Sequence, residues 1–600
     1  MIGRCFFAVG GFSSGLWRGG LVRRVLLGDF GMEKGFAGGV TGRIMAYDGA
    51  LAARLSARLK KPVDNSLIVS TARGVGDNLL HISLRSYGLF FVLTGGIPTV
   101  YSFVIHGYVG LALAAGAAAG LPLVLINRSI AQIYNGSLFL QKIGRFFFVK
   151  DYGLVEKPRR HYLPLFIAAG LAFGGLAVAL ELALFVMILA AAGSLLVLYK
   201  TEVGVFAAAL LMPIVPTMMI LGLMAVCFVS FVVKAAVTGR IALKFNAIDA
   251  FVAFFGFVVM VSSFLSFNRA ASAPVALVYI LFVLFYFVVK NTINTRAKFL
   301  ALLSFIVAGG FAVAGFGVWQ RLTGNFVMTD AWVDAQFFGE TMVRVYSTLE
   351  NPNVLGKYLI FVIIAAFGML YYMKENLHKL AAAGIFAVAS AAMLLTQSRG
   401  AWLGAIFAMG VFALIRDRRL VVLGVVALVL APFFVPQDML MRFLSIGDLT
   451  ETSTSFRLAI WLASLEMIRV FWPVGIGLGA ETFSMMYNLY AFSAAYALHT
   501  HNLYLQVIID LGLAGFAAFV LIISGFFKGG LMAAVNGDKA VKTAAAALVA
   551  AMAGYLIMGF TDNVWFNYRV LGFFWLIVAA VAAAGANFKE WGIANDKTKI

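Results

Sequence analysis

From residue 160 onward the chain is a succession of apolar stretches, each about as long as a bilayer is thick, joined by short links that hold most of the charge. A helix crossing the hydrocarbon layer needs about 20 mostly apolar residues. Such stretches fall at 162–179, 181–199, 204–218, 219–234, 247–266, 274–290, 298–320, 353–373, 378–396, 400–416, 419–434, 503–526, 541–560 and 566–587. The pattern predicts an all-α polytopic membrane protein with fourteen transmembrane helices. Connections between 162 and 234 are so short that a pair there could be half-spanning. With 62% hydrophobic and 12% charged residues, the 600-residue chain has too little polar material to cover a soluble fold. Two cysteines, Cys5 and Cys227, are too few for a disulfide framework.

The net charge of +20 raises the question of a nucleic-acid partner. Its distribution answers it. If the basic segment 127–160 is set inside and the spans alternate, twenty-five basic residues from there on fall on inner loops and nine on outer ones. No flip is needed, and orientation follows the positive-inside bias. The basic residues are spread over many short loops and form no groove-lining patch, which excludes nucleic acid and leaves the lipid bilayer as the partner.

Residues 1–126 form an extension of their own. The start, "MIGRCFFAVGGFSSGLWRGGLVRR", lacks the basic–apolar–cleavage order of a signal peptide. Residues 49–61 predict a basic amphipathic helix on the inner surface, and 89–126 an N-terminal helical hairpin with both ends inside. The basic cytoplasmic segment 127–160 then leads into a membrane domain, 161–600. Two of its outer loops are long, 321–352 and 435–502. The second contains "TSTSFRLAIWLASLEMIRVFWP", which has capping residues, a helix-length amphipathic run and a stop at Pro473, so a large helical extracytoplasmic loop is expected.

The outer side holds the residues that could do chemistry. Arg399, in "LLTQSRGAWLG", sits between two spans with almost no loop, where a charge is costly unless it is paired, functional or snorkelling to headgroups. Arg457 lies on the loop helix and could equally be a surface charge. Arg344, in "TMVRVYSTLENPNVLGKYL", is a third arginine, followed by Asn351, Pro352 and Asn353 as a cap for the next span. Arginine is always charged and binds phosphate through two donors at once.

"ALHTHNLYLQ" places His499 and His501 beside Asn502 at the start of a span. A cap needs only Asn502 or Thr500, so it explains neither histidine. A zinc site needs three or four ligands, and the remaining histidines fall toward the inner half, so no metal and no cofactor is expected. A lone histidine suits a general base at neutral pH. Gly475 and Gly477, in "VGIGLGAETF", form no dinucleotide fingerprint. They fit a turn that approaches a ligand or another helix closely. Acids within spans are sparse: Glu181 at a span end, Asp510 two to three turns into its helix, and Asp562 in the outer loop "GFTDNVWFN". That weighs against a proton-coupled transporter.

The stretches "STLENPNVLGKYL", "LTQSRGAWLGA", "FRLAIWLASLEMI", "PVGIGLGAETF", "HTHNLYLQVIIDLGLAGF" and "TDNVWFNYRVLGFFWLIVA", in this order over 345–587, resemble the O-antigen ligase/polymerase superfamily. The resemblance implies a membrane glycosyltransferase that uses a polyprenyl-diphosphate-linked glycan donor and a lipid or glycan acceptor. It implies the cytoplasmic (inner) membrane of a bacterium, with the active site facing outside. The family's implicated residues map onto Arg399, Arg457 and His501. Arg344, Asn502, His499, Gly475 and Gly477 are the accompanying substrate-binding candidates. Asp510 stands where the family often has Glu. The outer loops hold no Asp-x-Asp pair, so transfer is expected to be metal-independent, and direct attack by an acceptor hydroxyl that gives its proton to His501 implies inversion. Three activities remain open: ligase, polymerase of the same superfamily, or transporter of an anionic lipid-linked glycan.

Overall fold

In the computed structural model, residues 78–107, 111–149, 158–159, 161–179, 194, 196–198, 200–238, 245–324, 344–433, 440, 443, 452–492 and 496–597 are described. Among them the chain is helical, with no β-strand beyond two isolated bridges. The helices are α1 (Leu84–His106), α2 (Leu111–Val124), α3 (Ile130–Gly136), α4 (Leu138–Phe146), α5 (Leu163–Ala179), α6 (Thr201–Leu211), α7 (Thr217–Thr238), α8 (Ala247–Leu265), α9 (Arg269–Thr292) and α10 (Arg296–Thr323). They continue as α11 (Pro352–Tyr372), α12 (Asn376–Leu395), α13 (Arg399–Arg416), α14 (Arg419–Leu430), α15 (Thr452–Phe471), α16 (Ala480–Tyr487), α17 (Leu503–Asn536), α18 (Lys539–Met558) and α19 (Tyr568–Lys597).

Eleven of these are long and apolar enough to cross a membrane: α1, α7 to α13, and α17 to α19. The protein is a polytopic membrane protein. The expected fourteen spans from residue 160 are therefore reduced to ten among the described residues, with α1 as an eleventh. The segment 162–179 yields a 17-residue helix, 204–218 yields the 11-residue α6, and 419–434 yields the 12-residue α14. Hydropathy measures apolar length; it does not register where a Pro213 or a Pro432 ends a helix early. Most of 181–199 and the 49–61 segment lie outside the described residues.

The chain divides into two compact units. The smaller comprises the described residues within Asp48–Gly204 and Val229–Ile241. Its centre is the hairpin of α1 and α2, with α5 packed on α1. Gly88 of α1 faces Gly120 and Val124 of α2 so closely that a Cβ would meet backbone atoms at 2.5–2.8 Å.

The larger unit comprises the described residues within Val205–Phe228 and Ala242–Ile600. Here α11, α18 and α19 are the most enclosed helices, and α13 packs on α11 and α18. The α13–α18 contact is backbone on backbone: a Cβ on Gly554 would lie 2.1 Å from the carbonyl oxygen of Gly404. Small residues allow this approach where apolar lipid gives no drive for association. Helix starts follow the polar punctuation of the sequence. Asn351 Oδ1 accepts from the amides of Asn353 and Val354, and Asp538 Oδ1 from Val541.

Helix α17 is broken at Gly512, whose φ is 65°. The freed carbonyls of Ile509 and Asp510 accept from the amides of Ile476 and Gly477, and Ser262 Oγ also donates to Asp510 O at 2.6 Å. Leu513 N donates in turn to Trp472 O. A helix break at membrane depth needs such partners, and the loop after α15 supplies them.

One further acid is buried at the start of a span. Asp249 of α8 pairs with Lys290 of α9 and accepts from Tyr286 Oη at 2.7 Å. Arg296 meets Asp538 at 2.7 Å, and Arg416 Nε donates to Thr543 Oγ1 at 2.9 Å. These lie at the helix ends that the charge pattern assigns to the inside.

Candidate active site

At the opposite ends of the same helices, four connections meet. Arg344 precedes α11, Arg399 begins α13, Thr500 to Asn502 lead into α17, and Phe560 to Asn567 join α18 to α19. Gly356 against Ala401 and Gly400 against Thr561 hold the start of α13 between α11 and the α18–α19 connection. A cleft of about 60 Å³ opens there, lined by Arg344, Asn353, Gln397, Ser398, Arg399, Gly400, Arg457, Met558, Thr561 and Asp562. Three of the arginines weighed in the sequence thus face one space. A second cavity, of about 260 Å³, shares Arg399, Gly400, Arg457 and Thr561 and adds Leu403, Thr454 and Trp461.

The arginines are braced. Arg344 Nε donates to Thr396 O at 3.0 Å, and its terminal nitrogen to Asn353 Oδ1 at 2.9 Å. Gln397, just before α13, has φ 51°, a turn that delivers Arg399 to the cleft. Arg457 stands on α15, which is tied to the histidine segment by Trp461 Nε1 donating to Thr500 O at 3.0 Å.

Asp562 is the one acidic residue of the cleft lining. Its Oδ2 lies 2.9 Å from Lys357 Nζ, and its Oδ1 lies 3.5 Å from His501 Nδ1. Burial alone would raise this carboxyl, but Lys357 and the two histidines outweigh it and hold the group well below the usual carboxylate range. Lys357 also donates to Asn563 O at 3.1 Å. The His499 and His501 ring centroids are 4.0 Å apart, and His501 N donates to Nδ1 of His499 at 3.1 Å. Burial, with His501 beside it, pushes His499 down to about 3, so it is neutral at physiological pH. His501 adopts φ 49°, a left-handed conformation that costs a non-glycine residue about 1–2 kcal/mol. Strain of this kind concentrates at working sites.

Three of the sequence candidates have other placements. Asn502 caps α17: its Oδ1 accepts from Tyr504 N and Leu505 N, and its Nδ2 donates to Phe560 O. Gly475 and Gly477 face the α17 break and lie outside the cleft lining. A Cβ on Gly475 would meet Asp510 O at 2.6 Å, and one on Gly477 would meet Ser266 Oγ at 2.0 Å. Of the two readings of that turn, approach to another helix is the one observed. His499 lies against Phe566, with ring centroids 4.2 Å apart.

Sequence reasoning missed two site residues. Lys357 is one, and its signal in the sequence is a lysine inside an apolar span. Asp562 was read only as a loop acid. Together with His499 and His501 it forms a group whose donor atoms lie within 4.8 Å of one another.

Residues 384–520 match the family model described as O-Antigen ligase. Over that stretch the chain is similar to the O-antigen ligase family. No curated protein matches the chain. The O-antigen ligase match contains Arg399, Arg457, His499 and His501, whereas Arg344, Lys357 and Asp562 come from outside it. The cleft is thus assembled from the matched segment and from the helices on either side.

Proposed function

We propose that the protein is an O-antigen ligase-like glycosyltransferase. It moves a glycan from a polyprenyl-diphosphate carrier to an acceptor hydroxyl, on the outer face of a bacterial cytoplasmic membrane. The observation that carries this reading is the convergence of Arg344, Arg399, Arg457 and Asp562 on one cleft, with His501 3.5 Å from Asp562.

The chemistry follows from charge. The leaving group is an anionic diphosphate, which needs positive stabilisation more than it needs a proton. Arg399 and Arg457 would hold it, with Arg344 bracing the near wall. His501, with Nδ1 protonated toward Asp562, keeps Nε2 free to accept a proton. The acceptor oxygen attacks the anomeric carbon, its proton passes to Nε2, and the bond to the diphosphate breaks with its electrons leaving on the diphosphate. A single displacement inverts the anomeric centre. The Asp562 carboxylate, 3.5 Å from Nδ1, stabilises by its charge the imidazolium that forms. No step in this scheme calls on a metal.

Purified protein given lipid-linked repeat units tests the reading. A single shift of a separate acceptor supports ligase. A ladder on the polyprenyl carrier means that the same chemistry serves polymerisation. Movement of the lipid-linked glycan across a liposome bilayer with neither product would replace the reading with transport.

A further inference from the structure

The group of His499, His501 and Asp562 has a geometry that base catalysis does not require. Nδ1 of His501 is buried and makes no hydrogen bond, yet it faces Asp562 Oδ1 across 3.5 Å. That gap is too long for a hydrogen bond. It matches a different arrangement: two ligands about 2.0–2.2 Å from one tetrahedral zinc ion stand about 3.4 Å apart. The second imidazole completes three donors within 4.8 Å, and the left-handed turn at His501 keeps both rings on one side. Two imidazoles and a carboxylate suit the zinc class of divalent transition metals better than magnesium or calcium.

We propose that His499, His501 and Asp562 bind a divalent transition-metal ion of the zinc class, and that its occupation switches off transfer. The switch, though not the site, rests on His501 being the base. A neutral imidazole has one lone pair. An ion on Nδ1 takes it and confines the remaining proton to Nε2, which can then accept no other. Three protein ligands leave one coordination position for water. Lys357 moderates the site: paired with Oδ2, it leaves Oδ1 for the ion and opposes the ion's charge. The ion is therefore a reversible inhibitor that the reaction does not need.

Co2+ is the optical probe, titrated into chelator-treated, full-length protein without a histidine tag, in nanodiscs. One equivalent is expected to bind saturably, with the visible bands of a nitrogen-ligated site, and Zn2+ should displace it. His499→Ala and His501→Ala, or the milder His499→Gln, should each weaken binding at least tenfold while the particles elute as wild type. Absence of saturable binding, or unchanged binding in these variants, overturns the site without reference to any transfer assay. In that assay, Zn2+ should lower the wild-type rate with the half-saturation found by competition, and EDTA should restore it. A rate that Zn2+ leaves unchanged, or raises, at saturation overturns the switch.

Discussion

Lys357 and Asp562 form an ion pair at 2.9 Å beneath the arginine cleft, with 3% and 9% of their side chains exposed. One comes from inside α11 and the other from the α18–α19 connection, so the pair fixes the loop whose carboxylate faces His501. Breaking a buried pair by removing one partner costs about 3–5 kcal/mol, because the other charge is left unpaired.

Asp562→Asn is therefore expected to lose both stability and transfer. The double variant Lys357→Met with Asp562→Asn removes both charges and should recover most of the thermal stability without recovering activity. Thermal unfolding in detergent, read beside the transfer assay, separates the two roles. Recovery of both together would reduce Asp562 to a structural residue.

His501→Ala is expected to lower transfer by about 10²–10⁴-fold, the range for a general base. Arg399→Ala and Arg457→Ala should each lower it by about 10²–10³-fold, as for loss of a charge-stabilising donor. All three should insert and elute normally. Wild-type turnover in any of them would remove that residue from the site.

Gly477→Ala tests the turn. Its φ of 102° disfavours a side chain, and the new Cβ would lie 2.0 Å from Ser266 Oγ. The expected result is loss of folded protein, at about 1–3 kcal/mol for the backbone alone, with unchanged substrate affinity in whatever folds. A well-folded variant with weakened donor binding would return this glycine to the substrate site.

Acid should destabilise the protein through His499. Folded, it titrates near 3, whereas an unfolded histidine titrates near about 6.5. Between those values the unfolded chain binds the extra proton, so stability falls as pH drops from about 6.5 toward 3. Asp562 works in the other window. Its carboxyl is held below the unfolded value of about 3.9, so its contribution is intact above that pH and lost only beneath it. Melting curves in chelator across pH 4–7 should show the slope, and His499→Phe should flatten it.

EDTA is expected to leave transfer intact or raise it. Abolition by EDTA, with magnesium or manganese restoring the rate, would contradict the metal-independent mechanism.

Much of the membrane architecture was legible in the chain because a bilayer imposes a length on each helix and a side on each cluster of lysine and arginine. Apolar runs located most of the spans. Asn351 and Asn502 marked helix starts because an amide side chain satisfies otherwise unpaired amides. Arg399 stood out because a charge between two closely joined spans is costly, Arg344 and Arg457 because arginine binds phosphate through two donors, and His501 because a helix cap does not require it. Span number was overcounted at 204–218 and 419–434, where composition could not reveal early helix ends. What only the tertiary structure decided was which distant groups meet. Hydropathy and spacing are local, whereas the pairing of Lys357 with Asp562 and of Asp562 with His501 depends on how α11, α17, α18 and α19 pack. The same packing turned Gly475 and Gly477 toward the break in α17, where their small size is needed to satisfy carbonyls that the helix could no longer bond.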